Sequence, residues 1–332
     1  MYEFLKKLFK RKQEHFPGLL LDEASLRGLP KLDEIVADVA PVIWKPLDLA
    51  KIPKYPVYSQ NGSGSCVAMS MALIGSILYY IRRGVMIKFS PKWIYKQRSN
   101  ASIGMIGTES FKIAAKGLLL EELMPSQDLT EEQMNASKMQ PEYYEVAKAF
   151  AIEDTFVELP LGDIETVASV MQVTGKPVMV WFEFLYEEWL SIPIIRVILG
   201  NFLRHSVVAI DYGVYESEKA IVIQESWGFN STNFGVIRII KASFFRSRNI
   251  FAAYPRRFKF EVSANMPIYD GTIISVQKCL QTLGYFPLGV SFIENLGPLT
   301  RSAIKKFQEA SGLMVDGTLN EATRSLLTKR FN

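Results

Sequence analysis

Cysteine and histidine are scarce: the 332 residues hold two of each, Cys66, Cys279, His15 and His205. Two cysteines cannot form a disulfide framework, so the chain is suited to a reducing compartment or to a fold that needs no bridges. Four such residues are also too few for a convincing structural zinc site, and neither a metal nor any other cofactor is expected. An excess of charge is missing too. The formal balance is +4, from 38 Lys and Arg against 34 Asp and Glu. That permits weak attraction to an acidic polymer and gives no reason to expect nucleic acid. Long apolar runs are absent: residues 192–199 form one of the longest, and Pro193 and Arg196 interrupt it well short of a bilayer span. What is plentiful is core material, with 48% hydrophobic residues. At this length that favours two domains over one.

The start, "MYEFLKKLFKRK", lacks the long apolar region and cleavage site of a secretory signal. Phe4, Leu5, Leu8 and Phe9 share one helical face, flanked by Lys6, Lys7, Lys10 and Arg11. Such a helix packs on the body of the protein or makes weak contact with a membrane surface. Residues 1–43 read as an N-terminal extension. From Cys66 to Arg83 the chain is apolar almost throughout and ends at Gly84, which predicts a buried helix. Further helices are expected near 91–98, 109–116 and 141–150, and the charged stretch 127–140 reads as a surface insertion. After Gly175 the pattern changes. "KPVMVWFEF", "HSVVAIDYGVY", "KAIVIQES" and "GVIRIIK" are β-branched or alternating runs between turns, the mark of antiparallel strands. The class is therefore α+β. A break around 254–271 precedes three short amphipathic helices, with Thr300 expected to cap the second and Asn320 the third.

"SQNGSGSCVAMSMA" raises the question of chemistry. Cys66 stands where a glycine-rich loop meets a helix N-terminus, a place where free N–H groups and the helix dipole stabilise a thiolate. It could equally be a small core residue. His205 opens a strand, so its ring could face a cleft at the sheet edge and take the thiol proton. "QESWG" follows one turn and one strand later, which would bring Gln224 or Glu225 beside that ring under Trp227.

These pieces in this order resemble the papain family of cysteine peptidases: Gln60 with the Gly-Ser loop and Cys66, His205 at the head of "HSVVAIDYG", then "ESWG" followed by "GVIRI". Cys66 precedes His205 by 139 residues, inside the family window of about 130–150. The resemblance covers residues 42–255 and implies the papain-like fold, a helical subdomain beside an antiparallel β-sheet subdomain. It implies Cys66 as nucleophile, His205 as general base and acid, and Gln60 as oxyanion donor. Ser90 and Pro91 match the opening of the next helix, and Gly104 to Thr108 falls where the substrate wall lies. Glu225 stands where the family's orienting residue is usually asparagine. A carboxylate there either keeps an active ion pair or marks a lost triad. At about 43 residues the extension is short for the family's inhibitory propeptide, so control by self-cleavage is not expected.

The tail resembles a three-helix peptidoglycan-binding domain. Val276-Gln277, Leu283-Gly284-Tyr285, Gly297-Pro298-Leu299-Thr300, Phe307-Gln308 and Asp316-Gly317 carry the likeness, and most are core and turn positions. The expected organisation is an extension (1–43), a peptidase domain (44–255), a linker (256–270) and a binding domain (271–332). Together the two resemblances imply a monomeric, endolysin-like endopeptidase. It would cut the peptide stems or cross-bridges of bacterial peptidoglycan and, having no signal peptide, would be made in a bacterial cytoplasm and act at the wall after release. A wall-anchored protease with protein substrates and a catalytically dead binding protein are the alternatives.

Overall fold

The computed structural model describes residues 18–20, 29, 38–83, 86–152, 155–159, 163–185, 203–228, 236–247, 250–257, 267–287 and 290–332. The N-terminal amphipathic helix, His15 and Gly84 lie outside the described residues.

A helical layer comes first. Its centre is α1 (Cys66–Arg83), followed by α2 (Pro91–Tyr95), α3 (Gly107–Lys116), α4 (Glu131–Asn135) and α5 (Pro141–Lys148). Before them, β1 (Leu19–Leu20) pairs in parallel with β2 (Met105–Ile106). α1 is buried on every side until its last turn, as an all-apolar helix must be. Ser90 caps α2 by accepting from the Trp93 N–H, which satisfies one of the orphan donors at that end.

The second layer is a six-stranded antiparallel sheet in the order β3-β8-β4-β5-β6-β7. Its strands are β3 (Thr155–Leu159), β4 (Val178–Phe184), β5 (Leu203–Tyr215), β6 (Glu218–Gln224), β7 (Ile237–Lys241) and β8 (Ile250–Arg257), with α6 (Ile164–Thr174) after β3 and α7 (Ala242–Ser247) after β7. Period-two alternation divides each strand between two cores. Val178, Val180, Phe182 and Phe184 of β4 face a core shared with α6, while Met179 and Trp181 join the core built around α1. The four expected strands are present. β3 and β8 had no clear signal, and β8 runs through the start of the expected break at 254.

Three short helices close the chain: α8 (Ile273–Thr282), α9 (Pro298–Ala310) and α10 (Glu321–Phe331). Asn320 caps α10 as expected. Thr300 does not cap α9. The helix starts two residues earlier at Pro298, with Gly297 as N-cap, and Thr300 turns inward to accept from the Gln277 amide at 2.9 Å. Proline at the first helical position needs no N–H partner, so it starts the helix more readily than a threonine deeper in the turn. Gln308 plays a similar inward role, donating to Asp316, Thr318 and Thr323 and accepting from the Asp316 and Gly317 N–H groups. The tail also shares the α1 core: one continuous apolar cluster runs from Tyr79, Phe89 and Phe150 to Cys279, Leu280 and Phe331.

Candidate active site

Cys66 is the first residue of α1, and it faces β5. The backbone of Ser206, Val67 and Gly18 lies close enough to its sulfur to favour the charged form, and the Ser206 hydroxyl donates to Ser70 one turn further along α1 at 3.0 Å. These ties set the cysteine against the strand residue that follows His205. His205 sits in β5 opposite Phe182 of β4. Its ring centroid lies 5.7 Å from Phe184, 6.4 Å from Phe182 and 5.9 Å from Trp227. Three aromatic rings therefore enclose the imidazole. Trp227 was legible in the sequence and the two phenylalanines were not, because only strand pairing shows which residues stand opposite the histidine.

Gln60 reaches the site on an extended segment. The Gln60 N–H donates to the Ser226 carbonyl at 2.9 Å, the Gly228 N–H donates to the Tyr58 carbonyl at 3.1 Å, and Ser59 bridges to Trp227. The side-chain amide is aimed from both ends. Its oxygen accepts from the Ser226 hydroxyl at 2.7 Å, and one of its N–H bonds donates to the Ser63 carbonyl at 2.8 Å. A primary amide has a second N–H to offer an oxyanion. Ser226, whose role no local sequence pattern marks, is thus the residue that orients Gln60.

Glu225 directly follows β6, with its side chain fully buried. Its carboxylate is gripped by the equally buried Arg238 of β7, with Nε to Oε2 at 2.8 Å and Nη2 to Oε1 at 3.3 Å. The guanidinium also lies over the Trp227 ring, 5.6 Å from its centroid. In place of a neutral amide the site has a carboxylate and a compensating cation, and a paired charge is tolerated at this depth where a lone one is not.

The cleft is occupied by the chain itself. Gly18 lies across Cys66, and its carbonyl accepts from the Met105 N–H at 2.7 Å while β1 continues alongside β2. The approach leaves no room for a side chain: a Cβ on Gly18 would stand 2.4 Å from the Gly64 oxygen and 2.8 Å from the Cys66 sulfur. Residues 18–20 of the extension therefore reach Cys66, which the length of the extension did not suggest. Cys66 is fully enclosed, and burial pushes its thiol up to about 12, against the pull of the helix N-terminal N–H groups. The expected thiolate is not the favoured form in this closed arrangement, because desolvation outweighs the helix end. Cys279 is likewise buried, inside the tail, and its thiol is also raised to about 12. It belongs to the core cluster.

Residues 46–282 match the papain family cysteine protease profile, and residues 270–327 match PG_binding_1, a peptidoglycan binding domain. The cathepsin L-like proteinase of Phaedon cochleariae is 23% identical over 239 residues, covering 69% of this chain and 70% of that protein. Xylellain, a cysteine protease from Xylella fastidiosa, superposes with a TM-score of 0.58 at 19% identity, over 74% of this chain and 97% of its own. Digestive procathepsin L2 from the larval midgut of Tenebrio molitor gives 0.55 at 16% identity, over 74% and 79%. With the profile spanning most of the chain, and a cysteine, a strand-borne histidine and an oriented glutamine gathered at the junction of helix and sheet, the protein belongs to the papain family of cysteine peptidases and carries a C-terminal peptidoglycan-binding domain.

Proposed function

We propose that this peptidase cleaves peptide bonds in bacterial peptidoglycan, as an endolysin-like enzyme made in a bacterial cytoplasm and acting at the wall after release. The observation that supports this reading is the physical union of the two parts: the peptidoglycan-binding helices share one apolar core with the α1 layer that carries Cys66. A wall-binding surface held that close keeps the cleft at high local concentration of wall peptide.

In the proposed reaction β1 first leaves the cleft. Cys66 passes its proton to His205 and attacks the scissile carbonyl. The second N–H of Gln60 and the Cys66 backbone N–H stabilise the oxyanion. His205 then protonates the leaving amine, and water hydrolyses the thioester with His205 as base. Glu225, neutralised by Arg238, holds the imidazole orientation beneath Trp227. The aromatic enclosure keeps water from the pair and strengthens its electrostatics.

The deciding assay follows new amino groups released from purified peptidoglycan by the wild-type chain and by Cys66→Ala. Release by the wild type alone supports the reading. Equal release from both sinks it. Labelling of Cys66 by the epoxide E-64 without release from peptidoglycan, but with cleavage of a denatured protein, favours the protein-substrate alternative. No labelling in a chain whose cleft has been opened by Gly18→Ala indicates a dead triad.

A further inference from the structure

Two backbone walls flank the strand that lies over Cys66: the cysteine loop at Gly64, and the segment from Gly104 to Ile106. They touch each other, since a Cβ on Gly64 would fall 2.6 Å from the Gly104 nitrogen. They also converge on a single carboxylate. The Gly64 N–H donates to Glu131 Oε2 at 2.8 Å. The Tyr95 hydroxyl donates to Glu131 Oε1 at 2.8 Å and accepts from the Gly104 N–H at 2.9 Å. Arg98 completes the cluster. Its guanidinium lies over the Tyr95 ring at 3.7 Å from the centroid, approaches Glu131 at 3.5 Å and donates to the Ser102 carbonyl at 3.3 Å. Asn135 adds a further donor to Glu131 at 2.9 Å. Neither cysteine links these loops, for both are free.

The geometry points to Glu131, acting through Tyr95, as a positioning residue that sets the spacing of the two walls for an extended peptide. This rests on the cysteine-peptidase reading of the site. Glu131 touches no reacting atom. It holds from behind the backbone groups whose front faces meet the chain in the cleft: the Gly64 carbonyl faces Gly18, and the residue after Gly104 donates to the Gly18 carbonyl. Affinity for a peptide that spans both walls depends on their being held before it arrives. A short substrate that does not span them has no such dependence. A part-buried carboxylate with this many donors would otherwise be a fold staple, and a staple predicts losses shared by every substrate.

The test uses the full chain carrying Gly18→Ala, so that its own strand does not compete. Glu131→Ala, Glu131→Gln and Tyr95→Phe are compared on a fluorogenic amide with four residues before the cleaved bond and on a one-residue ester. Amide hydrogen exchange is read at Gly64 and Gly104. We expect Glu131→Ala and Tyr95→Phe to raise KM for the long substrate about tenfold, the size of one lost charge-assisted hydrogen bond, with kcat nearly unchanged. The ester should be processed as by the parent. Glu131→Gln keeps an acceptor for Gly64 and should recover most of the loss. Exchange should quicken at Gly64 and Gly104 together in Glu131→Ala. Equal losses on both substrates, a fall in kcat at constant KM, or exchange quickened at Gly64 alone would overturn the proposal. Should the parent turn over neither substrate, the peptidase reading itself fails, and the exchange data alone then decide whether Glu131 couples the walls.

Discussion

Gln60 and Arg238 show how single side chains set this site. Gln60 is held by Ser226 on one side and the Ser63 carbonyl on the other, so its free N–H is aimed before substrate arrives. Gln60→Ala should lower kcat by about 10²–10³-fold with little change in KM, the usual effect of removing one oxyanion donor. Ser226→Ala should reduce kcat in the same direction by less. Steady-state kinetics on one peptide substrate check both, and a pure KM effect would count against the role. Arg238 answers a different need. Glu225 and Arg238 are both buried and hydrogen-bonded to each other, so Arg238→Met leaves an unpaired charge in the core and should destabilise the fold by about 3–5 kcal/mol in urea titrations. Adding Glu225→Asn, which removes the stranded charge, should restore much of that loss. If the double variant is as unstable as the single one, packing rather than charge explains the pair. Cys66 and His205 announce themselves in sequence through their spacing. Arg238 does not, because a cation inside "GVIRIIK" looks like the outward-facing residue of an alternating strand until the fold turns it inward.

At the scale of elements, β1 governs access. Its contact with Cys66 depends on a glycine, and forcing a methyl into so tight a place costs about 1–3 kcal/mol. Gly18→Ala should therefore favour the open cleft and speed alkylation of Cys66 by iodoacetamide about 5- to 150-fold. An unchanged rate would mean that β1 does not gate the thiol. The direction of the pH effect follows from the raised thiol. In the closed arrangement the proton is bound more tightly, with the thiol moved from its ordinary 9.0 to about 12. Protonation thus favours closure. Closure weakens as pH rises past the open-state value towards about 12, because only the open form can then give up the proton freely. Alkylation of the wild type should climb with pH more steeply than alkylation of Gly18→Ala. Among the elements α4 is the instructive one. Its stretch is rich in charged and amide residues, and the sequence reads as a surface insertion. In the fold its Met134 is fully buried, and Glu131 reaches Gly64 of the cysteine loop from 67 residues further along the chain. Average polarity reports exposure for a segment and is blind to the one carboxylate that turns back to meet four donors.

Over the whole molecule, the tail is part of the body. The Tyr79 hydroxyl at the end of α1 donates to the Arg330 carbonyl at 3.4 Å, and a Cβ on Gly284 would come within 3.3 Å of Leu123 and 3.2 Å of Glu122. Arg330 is buried with its guanidinium over the Phe307 ring. A shared core predicts one cooperative unfolding transition in calorimetry, with Arg330→Ala lowering the midpoint of the whole chain. Two separated transitions, with only the later or smaller one moved by Arg330→Ala, would show the tail to be an independent unit.

Legible in the amino-acid order were the α+β class, the buried first helix, four strands of the sheet, the order and spacing of Cys66, His205 and Glu225, and the three-helix tail. Each of these rests on short-range regularities: period 3.6 or 2, a glycine or proline at a turn, a cap residue. The tertiary structure alone decided that Gly18 covers Cys66, that Arg238 neutralises Glu225, that Ser226 aims Gln60 and that Glu131 ties the two walls. All four are polar or steric contacts between residues far apart in the chain. Their partners are selected by which strands and loops the topology brings together, and no local pattern records that choice.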